Sequence, residues 1–330
     1  MKLLKIIGLE GIKPKNFITQ MLACALFAWV FVSIPYESIR GGVAFVDRDN
    51  YEQTFLGKSY VLKKAAGSIK GYISNEVLWD FTVRSIIDYF SIEPLTALTA
   101  ISYFVIFVMA VYVKRGAGWL WLIFLFNPLL IDFVMSQCRL AFAMGLFYLA
   151  LLSKRKWIVF TVTLISLFIH TAMLPLTSFY WGGWLVYRSK LKSYPWVCLV
   201  CLFAMGAGLV LLMGPLQSIV GSVMAEDRRV GRYVGASTTL SYASYWLILL
   251  AVYCYKPKFN RIPNNAYATT LLVVFAGTVV FDLYGSRFIA LALPCILCAM
   301  SMLDSSVRKM IIPSFSLYVG VQWLYWMKII

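Results

Sequence analysis

Histidine is almost absent. The chain has one in 330 residues, His170, which excludes a histidine-rich metal site. Acidic residues are scarce too, 14 against 30 lysines and arginines, for a net charge of +16. Charged residues make up only 13% of the chain and hydrophobic ones 61%, with a mean hydropathy of +0.79, which excludes a soluble domain of this length. The short alternating segments of a membrane β-barrel are missing. So are a Walker A sequence, a GxGxxG turn after a strand and an HExxH helix, which leaves nucleotide-binding and zinc-protease chemistry without a motif. The seven cysteines lie mainly in or near apolar segments. Cys198/Cys201 and Cys295/Cys298 have CxxC spacing inside apolar runs, so they read as buried thiols on one helical face rather than zinc ligands or disulfides. No metal and no other cofactor is expected. No internal repeat and no low-complexity linker interrupts the chain, so residues 1–330 are read as a single integral membrane domain.

What the sequence has in quantity is apolar runs of membrane-spanning length. They predict an all-α polytopic membrane protein with about ten to twelve transmembrane helices. The expected spans are about Phe17–Ile34, Leu95–Val113, Trp119–Phe133, Gln137–Leu152, Trp157–His170, Ala172–Tyr187, Trp196–Met213, Tyr242–Tyr255, Thr269–Phe281, Phe288–Leu303 and Ile311–Trp326. Two longer polar loops remain, about 35–94 and 214–240. Lys2, Lys5, Lys13 and Lys15 precede the first span and no small-residue cleavage site follows it, so it reads as an uncleaved anchor.

Lys114-Arg115, Lys154 to Lys156, Arg188 to Lys192, Lys256 to Arg261 and Arg308-Lys309 fall on one side with the basic N-terminus. By the positive-inside rule that side is the cytoplasm. The positive charge therefore answers to topology and anionic lipid before nucleic acid. Both polar loops, Arg139, His170 and Asp282–Arg287 then share the opposite face. Part of the first loop is expected to be helical. In Asn75–Phe90 the charges Glu76, Asp80, Arg84 and Asp88 recur every four residues, opposite an apolar stripe of Trp79, Val83, Ile86 and Phe90. Gly206, Ala207 and Gly208 form a small-residue patch that reads as helix packing.

Arg139 leads the candidate residues. Placed at the mouth of an apolar helix, an arginine is costly unless it faces a cavity or a ligand, and a guanidinium suits phosphate or pyrophosphate oxygens. Gln137 adds a neutral donor and acceptor two residues earlier. His170, at the outer end of the fifth span, suits a general base or a hydrogen-bond donor to sugar. Arg287 follows Asp282 and Tyr284 in a short outer connection, and Arg228, Arg229, Arg232 and Tyr233 stand in the second outer loop. Arginines there run against the positive-inside trend, and an anionic substrate explains the excess. Lipid headgroups or pairing with Glu226 and Asp227 explain it equally. Asp47, with Asp49 and Glu52, supplies the acidic candidates of the first outer loop.

Taken together, these motifs resemble the Wzy and EpsG type of bacterial polysaccharide polymerases. The likeness rests on Asp47 to Tyr51 in the first outer loop, Gln137-Cys138-Arg139-Leu140-Ala141 at a span start, Ile169-His170-Thr171-Ala172 at a helix end, and Arg287-Phe288. It departs in one respect. The usual second motif reads Arg-Gln-x-x-Ala, whereas here Gln137 precedes Arg139. The resemblance implies a GT-C-like bundle in the bacterial inner membrane, with its N-terminus cytoplasmic and its active site facing the periplasm. It implies a metal-independent glycosyltransferase that moves a growing glycan between undecaprenyl-pyrophosphate carriers, with a flippase and a chain-length regulator in the same pathway. Under it, Arg139, Arg287 and Arg232 would neutralise pyrophosphate, His170 or Asp47 would act as base, and Gln137, Tyr233 and Asp282 would help hold substrate. The products it suggests include O-antigen of lipopolysaccharide, capsule and exopolysaccharide. The competing readings are a lipid-linked oligosaccharide flippase and another polyprenyl-phosphate-sugar-dependent membrane glycosyltransferase.

Overall fold

A computed structural model of the chain describes residues 14–57, 76–153, 155–216 and 239–328. Among these residues every regular element is helical. The helices are α1 (Pro14–Ser33), α2 (Val46–Leu56), α3 (Val77–Phe90), α4 (Pro94–Gly116), α5 (Pro128–Ser136), α6 (Cys138–Leu151), α7 (Lys156–Leu167), α8 (Met173–Arg188), α9 (Pro195–Met213), α10 (Leu240–Tyr255), α11 (Pro263–Val280), α12 (Ser286–Ser301) and α13 (Ser305–Trp326). The chain divides into two compact units, one running to Leu174 and resuming at Gln322, the other Pro175–Val321.

By length and composition α4 and α9 are able to cross a membrane. A third crossing is possible if the Trp119–Leu125 turn of 3₁₀ helix and α5, bent by 66°, count as one broken span. α6, α7, α10 and α12 are apolar but shorter than the roughly 20 residues a bilayer requires.

The local chemistry explains these boundaries. α4 opens with Pro94 at its first turn and closes on Lys114 and Arg115, where cations suit the negative end of the helix dipole. The expected third span is not continuous. Asn127 is extended and accepts the Leu129 N–H through its side chain at 2.9 Å, capping a new helix whose first residue is Pro128. Proline disfavours a helical residue before it and donates no backbone N–H, so the chain breaks at this point.

In the first unit α4 packs between α1 and α6. Gly145 brings α6 so close to α4 that an added Cβ would lie 3.1 Å from Val105 Cγ2. α2 and α3 lie against α4. In the second unit α11 is central and packs on α9, α10 and α12. Gly206 of α9 meets Val273, and Gly277 of α11 meets Val210, with added Cβ atoms at 2.8 and 2.7 Å. Gly206 thus bears out the packing role read from the small-residue patch, while an added Cβ at Gly208 would meet only open space.

α3 differs from its expected form on one face. The Asp80–Arg84 pair is present at 3.3 Å, and Trp79 and Val83 are buried. Phe90 is exposed, however, while Glu76 and Asp80 are buried. For Glu76 the reason is helical spacing. Glu76 stands three and seven residues before Trp79 and Val83, on the stripe that packs inward.

Candidate functional site

Glu76 precedes α3 in the left-handed conformation, at φ 53°. That conformation is uncommon for a side chain with a Cβ and needs compensation from its surroundings. The compensation comes from residues far away in sequence. The Leu78 N–H, at the start of α3, donates to the Phe168 carbonyl at 3.2 Å. The Thr171 N–H donates to Glu76 Oε1 at 3.4 Å. The N-terminus of α3 is thereby fastened to the turn between α7 and α8, which carries His170.

Arg139 sits in the first turn of α6 and reaches the same carboxylate. Its Nη1 lies 2.5 Å from Glu76 Oε2, with the glutamate side chain 1% exposed and the arginine 27%. Arg139 Nε donates to the Tyr51 hydroxyl at 3.1 Å, and the guanidinium lies 5.0 Å from the Tyr51 ring centroid. Burial pushes the Tyr51 hydroxyl above its ordinary pKa, and Arg139 opposes that rise. Tyr51 is edge-on to Trp79, which continues through Phe142 to Phe104. The charged cluster is therefore walled on one side by aromatic rings from α2, α3, α4 and α6.

His170 completes the cluster. Its Nδ1 is 3.3 Å from Glu76 Oε1 and also accepts the Ala172 N–H at 3.1 Å. One ring nitrogen either donates or accepts, so the two contacts select different tautomers. With its proton on Nε2, the ring accepts from Ala172. With its proton on Nδ1, it donates to Glu76 and leaves Nε2 as the basic nitrogen. Glu76 is also placed to stabilise the imidazolium that forms if Nε2 takes a second proton.

The other expected site residues fall as follows. Gln137 is the joint between α5 and α6, with φ −88° and ψ 49°, and its carbonyl accepts the Ala141 N–H. Asp47 is half-buried on α2, one turn before Tyr51, and its charge reaches the Tyr51 hydroxyl. Among the described residues it makes no ion pair. Asp282 and Arg287 belong to the second unit. Asp282 is left-handed at φ 54°, and the Arg287 guanidinium lies 4.9 Å from the Tyr284 ring centroid. Arg228, Arg229, Arg232 and Tyr233 lie outside the described residues.

Two further arginines of the first unit were not singled out by sequence. Arg48 Nη2 donates to Thr99 Oγ1 at 2.6 Å, and its charge reaches Cys138, the residue before Arg139. Arg40 pairs with Asp132 at 2.9 Å, and the same carboxylate accepts the Trp326 indole N–H at 3.0 Å. Glu76 is the main residue the sequence reading passed over. Its signal was present, since an acid on the apolar stripe of an amphipathic helix has to be paired.

Among the described residues no three His, Cys, Asp or Glu side chains cluster as metal ligands. The arrangement offers one half-open guanidinium, a buried carboxylate that fixes it, an imidazole with two supported tautomers and a phenol. Comparison with protein-family models, curated proteins and solved structures finds no match.

Proposed function

We propose that the chain is a membrane glycosyltransferase that polymerises oligosaccharide repeat units carried on undecaprenyl pyrophosphate. The observation that carries this reading is the meeting of Glu76, Arg139 and His170, from three segments far apart in sequence, inside a strongly apolar chain. Glycosyl transfer from a pyrophosphate carrier needs a cation at the leaving group and a base at the attacking hydroxyl. Arg139 and His170 supply that pair. Glu76 keeps the arginine in place while leaving about a quarter of its side chain open.

In the proposed step, a hydroxyl oxygen of the carrier-linked acceptor sugar attacks the anomeric carbon of the growing glycan. The new C–O bond forms as the bond to the donor carrier's pyrophosphate oxygen breaks. His170 Nε2 takes the hydroxyl proton, and Glu76 stabilises the resulting imidazolium. Arg139, with Arg48 nearby, balances charge on the departing undecaprenyl pyrophosphate. Gln137, at the joint that opens α6, is assigned a supporting contact to the same substrate. Asp47 becomes the weaker candidate for base, because Glu76 is the carboxylate that touches His170.

The reading includes a polytopic bundle of about ten to twelve transmembrane helices, GT-C-like, in a bacterial inner membrane with the site on its periplasmic face. Support comes from α4 and α9, from the apolar character of the shorter helices, and from the placement of Lys and Arg at alternate connections. A 16-residue helix such as α10 is about 24 Å long, so flanking turns would complete its crossing.

The test is the surface-glycan profile of a strain lacking the gene, with the mass of the carrier-linked pool. Collapse from a ladder to one repeat unit on the final acceptor is expected, with no rescue by Arg139→Ala or His170→Ala. Loss of even the single unit, with repeats trapped on the cytoplasmic side, would instead mean a flippase. An unchanged ladder would remove both readings.

A further inference from the structure

The second unit holds a cavity of about 770 Å³, lined by Trp196, Tyr255, Lys256, Lys258, Asn265 and Asp304 among others. Its position follows from three chain breaks at one end of the unit. α9 begins beside it at Pro195, α10 ends beside it at Tyr255, and α11 begins beside it at Pro263. Two helix N-termini, with their positive dipole ends, are therefore turned toward the cavity.

Three observations say what it would hold. The first is charge. Lys256 is paired with Asp304, whereas Lys258 is exposed and makes no ion pair among the described residues. The balance of these three side chains is one positive charge. The second is a buried acceptor. Asn265 is 0% exposed, and its Nδ2 donates to the Phe259 carbonyl at 3.1 Å. Its Oδ1 is buried and accepts no hydrogen bond among the described residues. A buried acceptor without a donor is unfavourable, so a ligand that brings an O–H has a place to put it. The third is the rim. Trp196, Tyr255, Ile262 and Met302 are exposed, and α9 is the helix best suited by composition to lie against lipid, with only 28% of its most apolar stretch buried. Aromatic rings beside basic residues at the end of a spanning helix mark the headgroup level of a bilayer.

We infer that this cavity binds the headgroup of an anionic, hydroxyl-bearing phospholipid of the phosphatidylglycerol type. The phosphate faces Lys258 and competes with Asp304 for Lys256. A glycerol hydroxyl donates to Asn265 Oδ1. The acyl chains leave over Trp196 and Ile262 along α9. The basic turn at Lys256–Arg261 puts the cavity at the cytoplasmic end of the unit in the topology proposed above. The inference rests on the membrane reading of α9 and not on glycan polymerisation.

The experiment uses the full chain purified in detergent, with native mass spectrometry of added dioleoyl phosphatidylglycerol, phosphatidylethanolamine, phosphatidylcholine and free glycerol 3-phosphate. One phosphatidylglycerol is expected to be retained at least tenfold more tightly than phosphatidylcholine. Lys258→Glu, at an exposed position that does not threaten folding, should remove that preference. Asn265→Leu should weaken phosphatidylglycerol in any preparation that stays monodisperse. Equal retention of all three lipids, or a preference that survives Lys258→Glu, would overturn the site. Equal retention of phosphatidylethanolamine, which carries neither a net charge nor a hydroxyl, would overturn the anionic and the hydroxyl assignments together. Glycerol 3-phosphate binding as tightly as the lipid would identify a soluble phosphate ligand and overturn the lipid one. Glycan synthesis does not enter any of these readouts, so a failed polymerase test leaves them intact.

Discussion

Replacing Glu76 with Gln isolates the charge at the centre of the cluster. Gln keeps the size of the side chain and an acceptor for the Thr171 N–H, and it removes the negative charge 2.5 Å from Arg139. Taking one member from a buried ion pair costs about 3–5 kcal/mol when the remaining charge is sealed from water. Arg139 keeps 27% of its side chain exposed, so part of its hydration returns and the expected loss falls to about 2–3 kcal/mol. The measurement is reversible chemical unfolding of the detergent-solubilised chain, beside Asp88→Asn, an exposed carboxylate on the same helix. The control should move stability by less than about 0.5 kcal/mol. The double variant Glu76→Gln with Arg139→Gln should be more stable than the sum of the single changes implies, by about 1 kcal/mol or more. If Glu76→Gln costs no more than Asp88→Asn, or if the two changes simply add, the carboxylate does not hold the arginine and the site as described is wrong.

Other outcomes follow from the same geometry. Arg139→Lys should fold but lose most polymer ladder in a complementation assay, because an ammonium cannot satisfy Glu76, Tyr51 and an outer anion through one planar group. Asp47→Asn should retain the ladder where His170→Ala loses it, and the reverse result would return the base to the first loop. Gly277→Ala should cost about 1–3 kcal/mol in thermal or chemical unfolding, since the new methyl lies 2.7 Å from Val210. Gly208→Ala, which meets nothing within 4 Å, is its neutral control. Tyr51 contributes to alkaline sensitivity. Its pKa is raised in the folded chain above the ordinary 10.0, so in alkali the unfolded chain loses that proton first and stability falls as pH rises beyond about 10. Tyr51→Phe should remove that share of the decline in a stability–pH profile.

Most helices were legible because their signals are local. Apolar length, Pro at first turns and basic residues at last turns placed α4, α6, α9 and α10 within a few residues. The Asp80–Arg84 pair followed from spacing alone. The break at Asn127-Pro128 was equally local, yet the apolar residues around it concealed it. Arg139 and His170 stood out because each is a rare polar group in an apolar neighbourhood. That the two share one carboxylate was not legible, because residues 76, 139 and 170 have no fixed spacing in a chain that returns through several helices.

The sequence by itself determined an apolar all-helical chain and two of the three ionisable groups of its main cluster. Burial cost makes isolated polar residues conspicuous wherever they occur in such a chain. Only the tertiary structure decided that Glu76 faces inward, that it rather than Asp47 meets His170, and that Asn265 lines a cavity beside Lys258. Those outcomes depend on which helix face packs against which neighbour. In an apolar environment that choice is made by close fit and by the pairing of polar groups, and both act between residues that the sequence keeps far apart.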